Sequence, residues 1–110
     1  MEAETYAIEV PLKDFVAFLK AARVGKRLGK RNIASEVVEF RFSGEVLSIS
    51  LMGVTHAIPA KGRWPGAVHI GLASMQSLVK VPPTLSPLCL RVHEGRLSIG
   101  TTVFPAKVDR

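Results

Sequence analysis

The stretches AIEVPLKDFVAFLK (residues 7–20) and AVHIGLASMQSLVK (residues 67–80) follow one pattern. Each opens on alternating apolar residues, continues with apolar residues at helical spacing and ends in lysine. Ala7, Leu12 and Lys20 recur as Ala67, Leu72 and Lys80, and Ile8, Val10, Phe15 and Phe18 are answered by Val68, Ile70, Met75 and Leu78. Two more blocks repeat in the same order. FRFSGEVLSIS (40–50) lies over LRVHEGRLSIG (90–100), sharing Arg and Leu-Ser-Ile, and THAIPAK (55–61) lies over TTVFPAK (101–107), sharing Thr and Pro-Ala-Lys. The three alignments hold 11 identities in 32 positions. Composition alone would give about two, so an internal repeat is the simplest reading.

The offsets between blocks are 60, 50 and 46 residues. The first half therefore has ten extra residues between its first and second blocks, in the interval from Lys20 to Phe40. That interval holds RVGKRLGKR (23–31), which the second half lacks.

Each half reads the same way. TYAIEV (5–10) alternates and is closed by Pro11, as a strand would be. From Leu12 to Val24, Leu12, Phe15, Phe18, Leu19 and Ala22 share one helical face, and Gly25 suits a helix C-terminus. VVEFRFSG places Val38, Phe40 and Phe42 on one side of a strand and Glu39 and Arg41 on the other. Gly44-Glu45 marks a hairpin turn. VLSISL turns Leu47, Ile49 and Leu51 inward, and VTHAIPA forms a third strand ending near Pro59. The second half gives AVHIG as strand, LASMQSLVK as helix ending before Pro82-Pro83, then LCLRVHEG, RLSIGT and TVFPAKV as strands. The expected fold is α+β, a βαβββ unit used twice, with two helices packed on one side of antiparallel sheets. One domain, 1–110, would contain repeat one at about 5–61 and repeat two at about 66–108. The apolar residues named are core residues on this reading.

A chain of 110 residues with 47 % apolar content can build one core and is not of disordered composition. Its apolar runs are too short to span a membrane. The stretch MEAETYAIEV is acidic where a secretory signal would be basic, and the single cysteine, Cys89, implies no internal disulfide. A cytoplasmic protein is expected.

The net charge of +6 is concentrated. Between Lys13 and Arg31 there are seven basic residues and one acid, Asp14, which accounts for the whole excess. A concentrated patch points to an anionic partner better than a high pI does. GKRLGK (25–30) lacks the spacing and the Lys-Ser/Thr of a phosphate-binding loop.

The doubled unit, the hairpins VVEFRFSGEVLSIS and LCLRVHEGRLSIGTTVFPA, and the Lys-Val-Pro after the second helix resemble one domain of the bacterial DNA sliding clamps, the beta subunit of DNA polymerase III. The resemblance runs from Tyr6 to Val108, and RLSIGTTVFPA carries it most strongly. It implies a processivity factor whose domains close into a ring, with helices lining the hole and cations facing DNA phosphates without reading sequence. Carried over by position, the DNA-binding residues would be Lys13, Lys20 and Arg23 on the first helix and Lys80 on the second. Lys26, Arg27, Lys30 and Arg31 would act from the loop. Classical bacterial clamps carry three such domains per chain and this chain has one, so a six-domain ring would be a homohexamer. The family's partner pocket lies at a domain junction, and no residue of it is carried over.

The remaining chemistry-bearing residues have structural readings. His56, His69 and His93 lack metal-ligand spacing with cysteine or carboxylates. Cys89 has no neighbouring base to activate it. Trp64, in KGRWPG, suits the seam between the repeats. No carboxylate pair suggests acid–base work. The chain is therefore expected to be no enzyme and to need no cofactor or metal. It is read as a noncatalytic module that binds duplex DNA nonspecifically, self-assembles into a homo-oligomer and meets replication or repair proteins, but no membrane. The alternative is a clamp-fold protein-interaction or regulatory module without DNA binding.

Overall fold

The computed structural model describes residues 5–21, 36–51, 53–81, 83–84 and 86–109. The first half contains β1 (Tyr6–Val10), α1 (Leu12–Ala21), β2 (Val37–Phe42), β3 (Val46–Leu51), β4 (Val54–Pro59) and β5 (Lys61–Gly62). The second contains β6 (Ala67–Gly71), α2 (Leu72–Lys80), β7 (Leu88–His93), β8 (Arg96–Ile99), β9 (Thr102–Pro105) and β10 (Lys107–Asp109). The fold is α+β, with two helices and two antiparallel five-stranded sheets. No helix among the described residues is long and apolar enough to cross a membrane.

One sheet runs β5-β1-β7-β8-β9 and the other β10-β6-β2-β3-β4. Each sheet thus takes the first and last strands of one half and the three middle strands of the other. Moving every label five places converts one order into the other. The registers correspond as well. In the first sheet Ile8 opposes Leu90 and Val10 opposes Leu88, while in the second Val68 opposes Phe40 and Ile70 opposes Val38. These are equivalent positions at the sequence offsets of 60 and 50. The hairpins agree too: Phe40 opposes Ile49 as Leu90 opposes Ile99, and Leu47 opposes Ile58 as Leu97 opposes Phe104.

The alternation read in the sequence fixes which residues point inward. Val38 and Phe40 are buried, Glu39 is half-buried and Arg41 is exposed. Leu47, Ile49 and Leu51 are buried along β3. In α1 the buried residues are Phe15, Phe18 and Leu19, one helical face, and in α2 they are Leu72, Met75 and Leu78. Helices and sheets contribute to one continuous core cluster. Pairwise, Phe15 answers Met75 and Phe18 answers Leu78. Val79, the counterpart of Leu19, is instead 40 % exposed.

One expectation needs correction: three strands were expected after each helix and four are found. VTHAIPA is a strand ending at Pro59 as expected, but a further short strand, β5, follows it, and TVFPAKV, expected as a single strand, is broken after Pro105. Pro59 and Pro105 have no N–H to extend a ladder. The chain leaves one sheet there, passes through Ala60 or Ala106, and joins the edge of the other sheet as β5 or β10. The first helix, expected from Leu12 to Val24, is described as far as Ala21, and Gly25 lies outside the described residues.

The second hairpin shows why its turn residues matter. Glu94 and Gly95 form a two-residue turn with φ of 48° and 74°. That is the left-handed geometry whose twist matches paired antiparallel strands.

Candidate nucleic-acid interface

The helices present the described candidate cations. Pro11 precedes α1, and its carbonyl accepts from the backbone N–H groups of Asp14 (3.1 Å) and Phe15 (3.2 Å). Asp14 lies in the first turn, beside the positive end of the helix dipole, and Lys20 lies in the last turn, beside the negative end. Lys13 and Lys20 are both exposed. Being about two helical turns apart, they lie on one stripe, opposite Phe15, Phe18 and Leu19. The face between them is kept open by Ala17, also exposed.

In α2 the last turn carries Lys80, exposed, while Ala73 stands where the first helix has Lys13. The first turn of α2 has no acid. Its start is held by the Leu72 N–H, which donates to the Glu36 carbonyl at 3.0 Å. The Val81 N–H donates to the Ser77 carbonyl and closes the other end. α1 lies against β4, and α2 lies against β6 and β2, all strands of one sheet. Lys13, Lys20 and Lys80 make no ion pair among the described residues. Three exposed, uncompensated ammonium groups on helix surfaces can meet phosphates by charge and reach. Arg23, Lys26, Arg27, Lys30 and Arg31 lie outside the described residues.

Trp64, His56 and His93, also weighed in the sequence, have intramolecular partners. Trp64 donates from Nε1 to the Phe40 carbonyl at 3.1 Å and packs against the core, at the seam between halves. Its neighbour Arg63 holds its guanidinium 5.5 Å from the centre of the Tyr6 ring. The His56 ring meets Phe18 edge-on at 5.2 Å. His93 Nδ1 and Thr5 Oγ1 are hydrogen-bonded at 2.7 Å. Cys89 is a half-buried free thiol. No group of three or more His, Cys, Asp or Glu converges among the described residues.

One polar cluster was not visible in the sequence. β2–β6 pairing brings Glu39 opposite His69 on the outer face of the sheet, and His69 Nε2 lies 3.0 Å from Glu39 Oε2. Arg41 donates from Nε to Glu39 Oε1. The Arg41 hydrogen bond, then that of His69, hold the Glu39 carboxyl below its ordinary range. A depressed carboxylate pKa stabilises the fold above the unfolded value, and that contribution is lost as pH falls through the folded value. Glu39→Gln is therefore expected to lower stability by less than about 1 kcal/mol at pH 7. The gap from the parent should close as pH drops below the ordinary carboxylate range. Thermal unfolding of both proteins across that range checks the sign. A gap that widens toward acid would contradict it.

No protein-family model, curated protein or solved structure matches the chain.

Proposed function

We propose that the chain is a duplicated, sliding-clamp-like domain that assembles with copies of itself and holds duplex DNA nonspecifically. The observation that carries this reading is the matching register of the two sheets, combined with exposed lysines on both helices. A doubled unit is the arrangement that the sequence resemblance to clamps implies. The concentration of positive charge between Lys13 and Arg31 supports the choice of partner. Phosphates need charge within reach, and no base-reading geometry is required of these residues.

Assembly would run through sheet edges. β5 and β10 are edges of two and three residues, and β4 and β9 are the opposite edges. Each of the latter carries an exposed valine, Val54 at 54 % and Val103 at 55 %. Pairing β4 of one copy with β9 of the next would cover both and continue the sheets. Such head-to-tail contact closes into a ring when its rotation divides the circle. Replication or repair proteins are the partners this role would bring.

The test has two arms. Binding to a random-sequence duplex, followed by anisotropy against salt, is expected to give log affinity falling linearly with log salt, with a slope of a few phosphates. The double variant Lys13→Glu, Lys20→Glu should reduce both the affinity and the slope. Size-exclusion chromatography with light scattering should show a multimer at micromolar concentration. A monomer throughout would remove the assembly. Absence of duplex binding at low salt would turn the reading to a clamp-fold module that meets proteins.

A further inference from the structure

Among the described residues, β4 and β9 are each paired on one side and open on the other. The hairpins fix which backbone groups face the open side. Along an antiparallel ladder, successive residues turn their N–H and C=O groups alternately toward one neighbour and the other. The Ala60 N–H donates to the Glu45 carbonyl, continuing the β3–β4 hairpin, and the Ala106 N–H donates to the Gly95 carbonyl, continuing β8–β9. Counting back in steps of two, Ile58, His56 and Val54 turn their groups to β3, and Phe104 and Thr102 turn theirs to β8. The open side of β4 therefore carries the N–H and C=O of Thr55 and Ala57 and the C=O of Pro59. That of β9 carries the N–H and C=O of Val103 and the C=O of Pro105. Neither proline has an N–H to offer.

We propose that β4 of one copy takes β9 of another in a single antiparallel register, with Ala57 opposite Val103. This rests on the edge assembly proposed above and gives it a direction and an alignment. Every described ladder in the chain is antiparallel. In this register Ala57 and Val103 exchange both backbone bonds, and the Thr55 N–H donates to the Pro105 carbonyl of the other copy. All of β9, Thr102 to Pro105, lies against β4, Ile58 to Thr55. A slip of two residues one way carries Pro105 past the end of β4, opposite Gly53. The same slip the other way sets Val103 against Pro59 and Pro105 against Ala57, and each of those pairs loses a bond. A slip of one residue turns every side chain to the wrong face.

The faces agree in this register. Ile58 and Phe104 are buried, so His56 and Thr102 share their side, while Thr55, Ala57, Val103 and Pro105 lie exposed on the other. Val103 would be covered by Ala57. His56, half-buried and edge-on to Phe18, would come alongside Phe104 of the other copy, with an aromatic ring from each chain beside it.

Charge disfavours the like pairing. β4 could also pair with β4 of a second copy, Thr55 opposite Ala57. Because α1 lies against β4, that contact would bring two α1 helices together, each with exposed Lys13 and Lys20 in no ion pair among the described residues. Like charges brought face to face exclude a wrong partner. No helix lies against β9 to the same extent among the described residues, so β9 approaches β4 without that repulsion.

The test is oxidative cross-linking in a Cys89→Ser background. Opposed, hydrogen-bonded residues have Cα atoms about 5.5 Å apart, within disulfide range, and diagonal neighbours lie about 7–8 Å apart, outside it. The pair Ala57→Cys, Val103→Cys is expected to give a ladder of covalent species running past dimer on a denaturing gel. It should form at least tenfold more product than Thr55→Cys, Val103→Cys. The pair Thr55→Cys, Ala57→Cys reports β4 on β4, and Val103→Cys alone reports β9 on β9; both should give none. The substituted strand positions are exposed, and an unchanged thermal midpoint of the reduced proteins would show that the fold is retained. More product from the Thr55 and Val103 pair would overturn the register, and product from either like-edge variant would overturn the pairing. Light scattering of the reduced proteins separates this from the assembly itself. A multimer that yields no product between positions 57 and 103 would overturn the register and leave assembly standing, whereas a monomer at micromolar concentration would remove both.

Discussion

Phe40→Ala is expected to cost the fold about 3–5 kcal/mol, the range for emptying a fully packed phenylalanine site. Phe40 has no solvent exposure and lies on β2, the middle strand of its sheet. Val68 opposes it on β6 and Ile49 on β3, so the cavity would open between three strands. Its carbonyl also accepts from Trp64 Nε1, and any backbone shift that closes the cavity strains that bond. Sheets held on both sides relax little, which places the cost toward the upper end. Small domains are stable by only about 5–15 kcal/mol, so the variant would lose a large share of its margin. Urea unfolding followed by tryptophan fluorescence measures this directly, since Trp64 is the only tryptophan in the sequence. A loss below about 1.5 kcal/mol would mean that the site collapses freely and that the packing described here is wrong. Leu90→Ala, at the equivalent position of the other sheet, should cost about 2–5 kcal/mol.

Gly62→Ala is expected to be the most damaging single-methyl change among the described glycines. Gly62 has φ of +135°, a conformation that side chains rarely adopt. A Cβ there would lie 2.2 Å from the Ala7 carbonyl oxygen and 2.8 Å from the Ile8 Cα. Both are backbone atoms of β1 and cannot swing aside as a side chain could. Dihedral strain alone is worth about 1–3 kcal/mol. Relieving the clash would require β5 to leave β1, with loss of the bond from the Arg63 N–H to the Ala7 carbonyl. Gly53→Ala is the control: φ is also positive, at +80°, but nothing lies within 4 Å of the added Cβ. The difference between the two variants isolates the close approach from the dihedral cost. Equal stability losses would show that β5 is free to move away.

Much of this arrangement is legible in the chain because burial follows short periods. Val38, Phe40, Leu47 and Ile49 alternate, and Phe15, Phe18 and Leu19 recur at helical spacing, so their inward faces can be read without coordinates. Lys13 and Lys20 fall outside that apolar stripe, which is why their exposure could be foreseen. Strand partners are different. β1 pairs with β7, about eighty residues away, rather than with the neighbouring hairpin. Periodicity states which face of a strand is apolar and is silent about which strand lies beside it. The same silence hid the Glu39–His69 contact, which exists only because β2 and β6 are neighbours. The cleft of about 560 Å³ beside Pro59 was hidden for another reason. Its described lining comes from four separate stretches, and no one of them carries a signal. The crossings at Pro59 and Pro105 were half visible: proline marks the end of a ladder, but its direction of exit is decided by the edge waiting on the other sheet.

Because each sheet borrows its first and last strands from the opposite half, neither half can complete a sheet by itself. A polypeptide of half this length would have to find the missing strands in a twin molecule. Joining two such pieces through KGRWPG removes the dependence on concentration, and with it the need for both to stay alike. One piece is then free to take on an arginine- and lysine-rich insertion while the other keeps the plainer form.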